Sequence, residues 1–517
     1  MACFCPEKPR QSGRLQYLPD CQGSLSNHKL STKFPSGTVG PGGARGDLGS
    51  LSAIVGYKNP RAPLTNFRQS FPLLLCLSET CVFTRVVAFL LLCILFLGFA
   101  APPGNAYAVL AHETIIDAVW LTNIVPLLKK RFPNATPEQL REAHAYAYGG
   151  AIIQDMGYYP YGSHFFSDLT HYVRTGDFIE AMLRDSQDID EYAFALGALS
   201  HYFADIEGHS IAVNRVVPIL YPKLGEKFGS NVTYEDNPVA HVKSEFGFDV
   251  LEVAKGRYAP DAYRDFIGFN VAQPLLDRAF QETYGLQLGA VLDNEGKALG
   301  SYRHDVSKLI PKATRVAWQV KKHEIQRDVP GITRKKFLYN LSRASYEKHW
   351  GNEYAKPDFE EKFLAFLFKL IPKIGPLKIL TFRTPTPQTE QLFEASFNAV
   401  LQRYRAALTQ LADGSVDLPD ENLDVGKPTH SGEYQLTDDT YAELLHRLAA
   451  ENFAGATPAL LGDIENFYRN PSAPNALKRN KKRWSTVQRD LALLKSTSPP
   501  SPPSGGALLQ PSATRAH

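Results

Sequence analysis

The sequence predicts an all-α protein with additional helices in its C-terminal region. Three observations support this fold class: Ala and Leu are frequent, alternating β-branched runs are scarce, and several stretches repeat apolar residues at helical spacing. The chain has 517 residues, of which 44% are hydrophobic and 21% charged. This composition excludes a wholly disordered chain, and the length excludes a small disulfide scaffold.

Local signals predict the individual helices. Thr136, followed by Pro137, is typical of a helix start and predicts a helix that runs to Ile153. The stretch 192–203, YAFALGALSHYF, is almost wholly apolar and predicts a buried helix. Three later helices are predicted over 260–284, 389–411 and 438–453, and Pro-rich breaks at 385–387 and around Pro419 separate the later ones.

Cysteine and charge divide the chain near residue 106. All six cysteines lie in the first 93 residues, and residues 1–106 carry a net charge of +6 while the rest carries −3. The overall charge of +3 therefore gives no support for nucleic-acid binding by the main domain, and no stable nucleic-acid partner is expected.

An apolar segment, 86–100, marks this division. It follows Arg85, and Gly104-Asn105-Ala106 places small residues where a signal peptidase reads the chain. We expect a secretory signal that is cleaved after Ala106 and leaves Tyr107 as the new amino terminus. The alternative is an uncleaved membrane anchor with the domain outside the cytoplasm. The first interpretation predicts a secreted or periplasmic protein.

The histidines carry the strongest chemical signal. Seven of the 14 fall between residues 112 and 241, and His201 precedes Asp205 by four positions, as His241 precedes Glu245. This spacing puts both members of a pair on one side of a helix. Either pair alone could be a helix-surface ion pair, but a carboxylate on a buried helix is costly unless it is paired or binds a metal. Imidazole and carboxylate ligands without cysteine favour a hydrolytic zinc site.

The order of these residues resembles a known family. The segment 107–112, YAVLAH, is similar to the mature start of the zinc-dependent phospholipase C family and the related single-strand-specific trinuclear zinc nucleases, with Tyr107 in place of the usual Trp. The remaining positions that follow in the family's order are Asp155, His171, His201, Asp205, His209, His241 and Glu245. His164 competes with His171, and we favour His171 because its separation of 16 residues from Asp155 is closer to the family's interval than the 9 of His164.

The resemblance implies a helical domain that binds up to three zinc ions. The first ion would be held by Asp155, His171, His201 and Asp205, and the second by His209, His241 and Glu245. The third would be held by the amine and carbonyl of Tyr107 with His112, and would share Asp205 as a bridge. Asp155 would also act in catalysis by orienting or deprotonating a water molecule. Because signal cleavage would create the amine ligand, the precursor is expected to be inactive.

The substrate is a phosphodiester whose identity the sequence leaves open. Tyr158, Tyr159, Tyr161, Phe165 and Phe166 follow Asp155 closely, and aromatic rings can enclose a choline cation, stack a nucleobase or simply pack in the core. The apolar stretch 363–382, which carries three lysines, could dock on anionic lipid or form a packed helical hairpin.

We therefore expect an exported zinc phosphodiesterase of the phospholipase C type that releases diacylglycerol and a phosphorylated head group. The alternatives are a zinc-dependent single-strand nuclease and a non-catalytic, zinc-stabilised helical binding protein. We expect residues 1–81 to be a disordered extension or sequence upstream of the true start, and residues 82–106 to be the signal peptide or anchor. The catalytic domain is expected at 107–295 and a helical region at 296–470. A basic, Pro/Ser-rich disordered tail is expected at 471–517.

Overall fold

The computed structural model describes residues 108–257, 269–292, 294–306, 310–341 and 381–497, and most of these residues are helical. The strands among them are two residues long and form one antiparallel hairpin, Glu421–Asn422 paired with Lys427–Pro428. The predicted all-α fold class is therefore confirmed.

The first half of the described chain contains nine α-helices that position the residues of interest. They are α1 Val109–Val119, α2 Val125–Arg131, α3 Pro137–Gly150, α4 His164–Tyr172, α5 Thr175–Asp185, α6 Ile189–Glu207, α7 Asn214–Leu220, α8 Pro222–Phe228 and α9 Pro238–Lys255. Two π-helical segments, Trp120–Ile124 and Gly208–Val213, and a 3₁₀ helix, Ile153–Tyr158, join some of them.

The later described helices follow in chain order. They are α10 Gln273–Tyr284, α11 Leu288–Val291, α12 Glu295–His304, α13 Ile310–Asp328, α14 Arg334–Leu341, α15 Pro387–Asp413, α16 Gln435–Ala450, α17 Pro458–Phe467 and α18 Lys481–Thr497. The β-hairpin lies between α15 and α16, and a 3₁₀ turn, Ala476–Arg479, precedes α18.

The structure reproduces the predicted helices with shifted ends. Thr136 caps α3 through a capping box with Gln139, as its position before Pro137 predicted, but α3 ends at Gly150 and a 3₁₀ helix follows. The apolar stretch 192–203 lies within α6 and is fully buried. The helices predicted over 389–411 and 438–453 correspond to α15 and α16. Of the stretch 260–284, residues 273–284 form α10, and 258–268 lie outside the described residues.

The chain after Pro471 differs from its prediction. We expected disorder from 471 onward, yet residues 481–497 form α18, and 476–479 form a 3₁₀ turn. Leu477, Val487 and Leu494 are buried in the main hydrophobic core, and α18 packs against α16. Trp484, Leu491 and Leu493 also pack against this core, so the segment is held by apolar contacts although its composition is basic. Residues 498–517 lie outside the described part of the chain.

Helices α3 and α6 pack closely because both present glycine at the contact. A β-carbon on Gly197 of α6 would lie 2.1 Å from the carbonyl oxygen of Ala147 in α3. Since no other residue would fit at this distance, the glycines set the separation of the two helices. The close approach brings the end of α3 against His201, whose Nδ1 lies 3.0 Å from the Ala151 carbonyl oxygen.

The hairpin between α15 and α16 contacts the first half of the chain directly. The backbone N–H of Leu423 donates to the carbonyl oxygen of His171 at 3.0 Å. Next to it, the hydroxyl of Thr175 donates to the Glu421 carbonyl oxygen at 2.8 Å, and the Glu421 N–H donates back to that hydroxyl at 3.0 Å. These bonds join residues about 250 positions apart and hold the hairpin against the end of α4.

Several sequence predictions fall outside the described residues. They are the segment at 1–81, the signal or anchor at 82–106, Tyr107, and all but the last two residues of the apolar stretch 363–382. Within the described ranges, no helix combines the length and the apolar character needed to cross a membrane.

Candidate metal centre

Eight of the nine predicted ligands are buried and lie in adjoining groups, and the ninth, Tyr107, lies outside the described residues. Three sets of three side chains bring potential ligand atoms within 4.8 Å of one another. These sets are His112 with His201 and Asp205; Asp155 with His171 and His201; and His209 with His241 and Glu245.

Asp205 belongs to the first set and also contacts both imidazoles of the second, each of its oxygens facing different histidines. Its Oδ2 is 3.2 Å from Nε2 of His171 and 3.3 Å from Nε2 of His201. Its Oδ1 is 3.7 Å from Nε2 of His112, whose ring stacks on His201 with centroids 4.6 Å apart. A carboxylate whose oxygens face two different groups of imidazoles has the geometry of a bridging ligand.

The third set is built by a change of helix type. Helix α6 ends at Glu207, and the chain continues into a π-helical segment that contains His209. Because a π-helix is wider than an α-helix, side chains after Gly208 are rotated relative to those before it, and such segments often occur at functional sites. His209 thus faces α9, where its ring lies 5.7 Å from that of His241. Nδ1 of His241 is 3.9 Å from Oε1 of Glu245.

Four of these histidines are oriented by acceptors outside the centre. Nδ1 of His171 lies 2.7 Å from the Ser167 carbonyl oxygen, and Nδ1 of His201 contacts the Ala151 carbonyl as described above. Nε2 of His241 lies 2.6 Å from the Val232 carbonyl oxygen. In each case the other ring nitrogen faces the carboxylates. Such outer contacts fix the tautomer and orientation of metal-binding imidazoles.

Nδ1 of His209 contacts a carboxylate instead, since Oδ1 of Asp424 lies 3.1 Å away. Sequence reasoning missed Asp424, which lies in the turn of the β-hairpin more than 200 residues further along the chain. No local spacing links it to His209, so this contact could not be found without the tertiary structure.

The 3₁₀ helix that carries Asp155 is anchored by a residue that the sequence analysis did not single out. The hydroxyl of Ser167 in α4 donates to the Gln154 carbonyl oxygen at 2.6 Å and accepts from the Gly157 N–H at 3.0 Å. Since the carbonyl oxygen of Ser167 also faces His171, one residue positions both Asp155 and His171.

The charges of the centre call for a cation. Asp155, Asp205 and Glu245 are each at most 2% exposed. Burial raises the pKa of Asp155 well above its ordinary value and raises that of Glu245 to about 8. Burial acts in the same direction on Asp205, but the neighbouring imidazoles of His201 and His171 outweigh it and hold the pKa of Asp205 well below its usual range. Burying three carboxylates this close together is costly without a compensating positive charge.

The donor set fits zinc. Burial lowers the pKa of His241 to about 3, so this imidazole is neutral near pH 7, which is the form that binds a metal. Neither carboxylate oxygen of Asp155 accepts a hydrogen bond from the described residues, although both are buried. Nitrogen and oxygen ligands in sets of three, with outer acceptors behind the imidazoles, are typical of catalytic zinc sites.

His164, the competitor of His171, lies outside the three ligand sets. It begins α4, and its ring lies 5.4 Å from that of Tyr158. Both rings line a cavity of about 610 Å³. The other lining residues are Asp168, Tyr234, Glu235, Asp236, Pro238, Val239, Gln435 and Leu436. The lining is thus aromatic and acidic.

This cavity adjoins the metal centre through its tyrosines. The ring of Tyr158 is 6.2 Å from that of His171, and the ring of Tyr234 is 6.1 Å from that of His241. The other aromatic residues near Asp155 have different places. Tyr159 packs against Tyr302, Phe166 stacks on Phe280, Phe165 lies beneath the guanidinium of Arg447, and Tyr161 is 64% exposed.

The fold is helical, and this centre has the histidine and carboxylate composition of a metal site. Residues 111–294 match the family described as zinc dependent phospholipase C, and this segment includes all eight described candidate ligands. The family predicted from the sequence is therefore confirmed for this part of the chain, and the match supports a zinc-dependent, phosphodiesterase-type hydrolase. Comparisons with curated proteins and with solved structures gave no match.

Proposed function

We propose that this protein hydrolyses phospholipids at the phosphodiester bond on the diacylglycerol side, as a zinc-dependent phospholipase C. The observation that carries the proposal is the three buried ligand groups, two of which share His201, within the segment that matches the family. The products would be diacylglycerol and a phosphorylated head group.

The ligand sets support the zinc assignment implied by the family resemblance. Asp155, His171, His201 and Asp205 would hold one ion, and His209, His241 and Glu245 a second. His112 would contribute to a third ion with Asp205 and the amine and carbonyl of Tyr107. When bound, zinc lowers the pKa of water and offsets negative charge on phosphoryl oxygens.

Asp155 is the residue we assign to proton handling. Its oxygens are buried and accept no hydrogen bond from the described protein, so they are available to a water molecule. Ser167 fixes the segment on both sides of it through Gln154 and Gly157. A carboxylate held in this way can orient an attacking water and accept its proton.

The adjoining cavity favours a head group that carries positive charge. Tyr158 and Tyr234 present aromatic rings, and Asp168, Glu235 and Asp236 present carboxyl groups. Aromatic rings with nearby carboxylates bind quaternary ammonium groups such as choline. The same acidic lining opposes the approach of a polyanion, which counts against the nuclease alternative.

Export and membrane contact complete the proposal. Cleavage after Ala106 would place the protein outside the cytoplasm and free the amine of Tyr107. The apolar, lysine-containing stretch 363–382 would provide peripheral contact with the lipid surface.

The proposed function is tested on protein that begins at Tyr107. We would assay phosphatidylcholine vesicles and single-stranded nucleic acid, each with zinc present and after chelation. We expect hydrolysis of the vesicles, its loss on chelation, and its return when zinc is added. Hydrolysis of nucleic acid alone would establish the nuclease, and activity on neither substrate would favour a binding protein.

Two variants and one control distinguish loss of the metal centre from a general loss of folded protein. His201→Ala and Asp155→Asn should each lower turnover by at least about 100-fold, because both remove a ligand from the same group. The control is His446→Ala, which removes a half-exposed histidine that pairs with Asp490 away from the centre. Full activity in either ligand variant would refute the assignment.

A further inference from the structure

Asp424 lies in the turn of the β-hairpin and is 2% exposed. Its Oδ2 accepts hydrogen bonds from two tyrosine hydroxyls, that of Tyr172 at 2.7 Å and that of Tyr434 at 2.6 Å. Its backbone is also held, since its N–H donates to Oδ1 of Asn422 at 3.0 Å and its carbonyl oxygen accepts from Nδ2 of Asn214 at 2.8 Å. Hydrogen bonds therefore hold Oδ2 and both polar backbone atoms of Asp424, and the other carboxylate oxygen, Oδ1, faces His209.

That remaining oxygen, Oδ1, is 3.1 Å from Nδ1 of His209. An imidazole that donates from Nδ1 presents Nε2 on its opposite side, and the ring of His209 faces that of His241 at 5.7 Å. The 3.1 Å contact of Asp424 with Nδ1 leaves Nε2 as the ring nitrogen of His209 that can bind a metal together with His241 and Glu245.

His209 differs in this respect from three neighbouring histidines. His171, His201 and His241 each contact a backbone carbonyl oxygen with the ring nitrogen that faces away from the centre. A carboxylate beside one ring nitrogen makes an imidazole a better electron donor to a metal than a neutral carbonyl does. His209 also differs in backbone, because it lies in the π-helical segment Gly208–Val213.

We propose that Asp424 is a positioning residue that fixes the imidazole of His209 for zinc, so that the hairpin beyond the family match completes the metal centre. Residues 111–294 contain the ligands, whereas the carboxylate that orients one of them comes from position 424. This inference rests on the zinc centre of the proposed function.

The test measures zinc affinity directly and does not depend on turnover. Metal-free protein that begins at Tyr107 and runs to the end of the chain would be titrated with zinc against a competing chelator. In Asp424→Ala we expect one zinc ion to bind about 10- to 100-fold more weakly than in the unaltered protein, while the other ions keep their affinity. Asp424→Asn should recover part of the loss, because its amide oxygen can still accept from His209.

A matched control separates positioning from general loss of a buried carboxylate. Asp463 in α17 also accepts a tyrosine hydroxyl, that of Tyr441 at 2.9 Å, but the contacts described for it include no histidine of the three ligand sets. Asp463→Ala should leave every zinc affinity unchanged. If Asp424→Ala does not fold, Tyr434→Phe removes one of the two hydroxyls that hold Asp424 and should weaken the same ion by a smaller factor, about threefold.

The outcomes distinguish the two proposals. If the unaltered protein binds zinc and Asp424→Ala or Tyr434→Phe binds it equally well, Asp424 has no positioning role and the proposed function stands. If Asp424→Ala permanently loses one ion even at saturating zinc, Asp424 is a ligand and the positioning role is wrong. If the unaltered protein binds no zinc, both proposals fail.

Discussion

Gly150 of α3 faces the carbonyl oxygen of Phe194 in α6 so closely that a β-carbon would come within 2.0 Å of it. The neighbouring atom belongs to the backbone of a buried helix and cannot move aside alone. We therefore expect Gly150→Ala to push α6 away from α3 and to lower the free energy of unfolding by about 3 kcal/mol, measured by urea denaturation.

The same substitution on an open helix surface provides the control. No atom would lie within 4 Å of a β-carbon on Gly462 in α17. Gly462→Ala should raise the free energy of unfolding by about 0.5–1 kcal/mol, since alanine favours a helix over glycine. Equal effects of the two substitutions would show that the α3–α6 contact is looser than the structure indicates.

Metal removal should destabilise the protein strongly. Without a cation, the buried carboxylates of Asp155, Asp205 and Glu245 lose their compensating charge. We expect zinc present at about a thousand times its Kd to add about 4 kcal/mol to the free energy of unfolding, which would appear as a higher Tm in calorimetry. Chelator should change the Tm of His201→Ala far less. If chelator left the Tm of the protein without substitutions unchanged, this would argue against a metal at this centre.

The affinity for a cationic head group should rise with pH. Burial raises the pKa of Asp168 to about 7 and that of Glu235 to about 6, so both carboxyl groups are neutral in acid and gain negative charge as the pH rises through these values. The KM for phosphatidylcholine should therefore fall by about fivefold between pH 5.5 and pH 7.5, the effect of an ionic contact worth about 1 kcal/mol.

A substrate without a charged head group isolates this effect. Phosphatidylethanol carries no cation, so its KM should not follow the titration of the two carboxyl groups. Asp168→Asn should remove the part of the pH dependence that centres near 7. A parallel fall in KM for both lipids would assign the pH effect to the metal centre.

The free amine of Tyr107 should determine how many zinc ions bind. His112 lies in the first turn of α1, and its Nε2 is 3.7 Å from Oδ1 of Asp205, so the proposed third ion would need only the ligands of residue 107 in addition. Protein with one additional Ala before Tyr107 should bind one zinc ion fewer than protein that begins at Tyr107. Mass spectrometry of the intact protein with metal analysis measures this, and three zinc ions in both forms would contradict the inactive-precursor hypothesis.

Spacing within one helix made much of the candidate site predictable. His201 and Asp205 share α6, and His241 and Glu245 share α9, so the four-residue interval was enough to place each pair on one face. Thr136 was predictable for a similar reason, because a capping box is formed by residues three positions apart.

Other features depend on contacts that no local pattern records. The approach of Asp424 to His209 joins two residues more than 200 positions apart, and the strands that present Asp424 have two residues each, too few for an alternating pattern. The π-helical segment at Gly208 arises within a sequence that also suits an α-helix. Helix α18 was missed because its buried residues lie within a strongly basic composition.

The position of the hairpin has a consequence for the order of events during synthesis. Leu423 donates a hydrogen bond to the backbone of His171, and Asp424 reaches His209, so these two contacts cannot form before codon 424 has been translated. All the ligand residues leave the ribosome well before this point. The nascent protein therefore spends a long interval with His171 and His209 already made but without their hairpin contacts, which form only after about four-fifths of the chain has been translated.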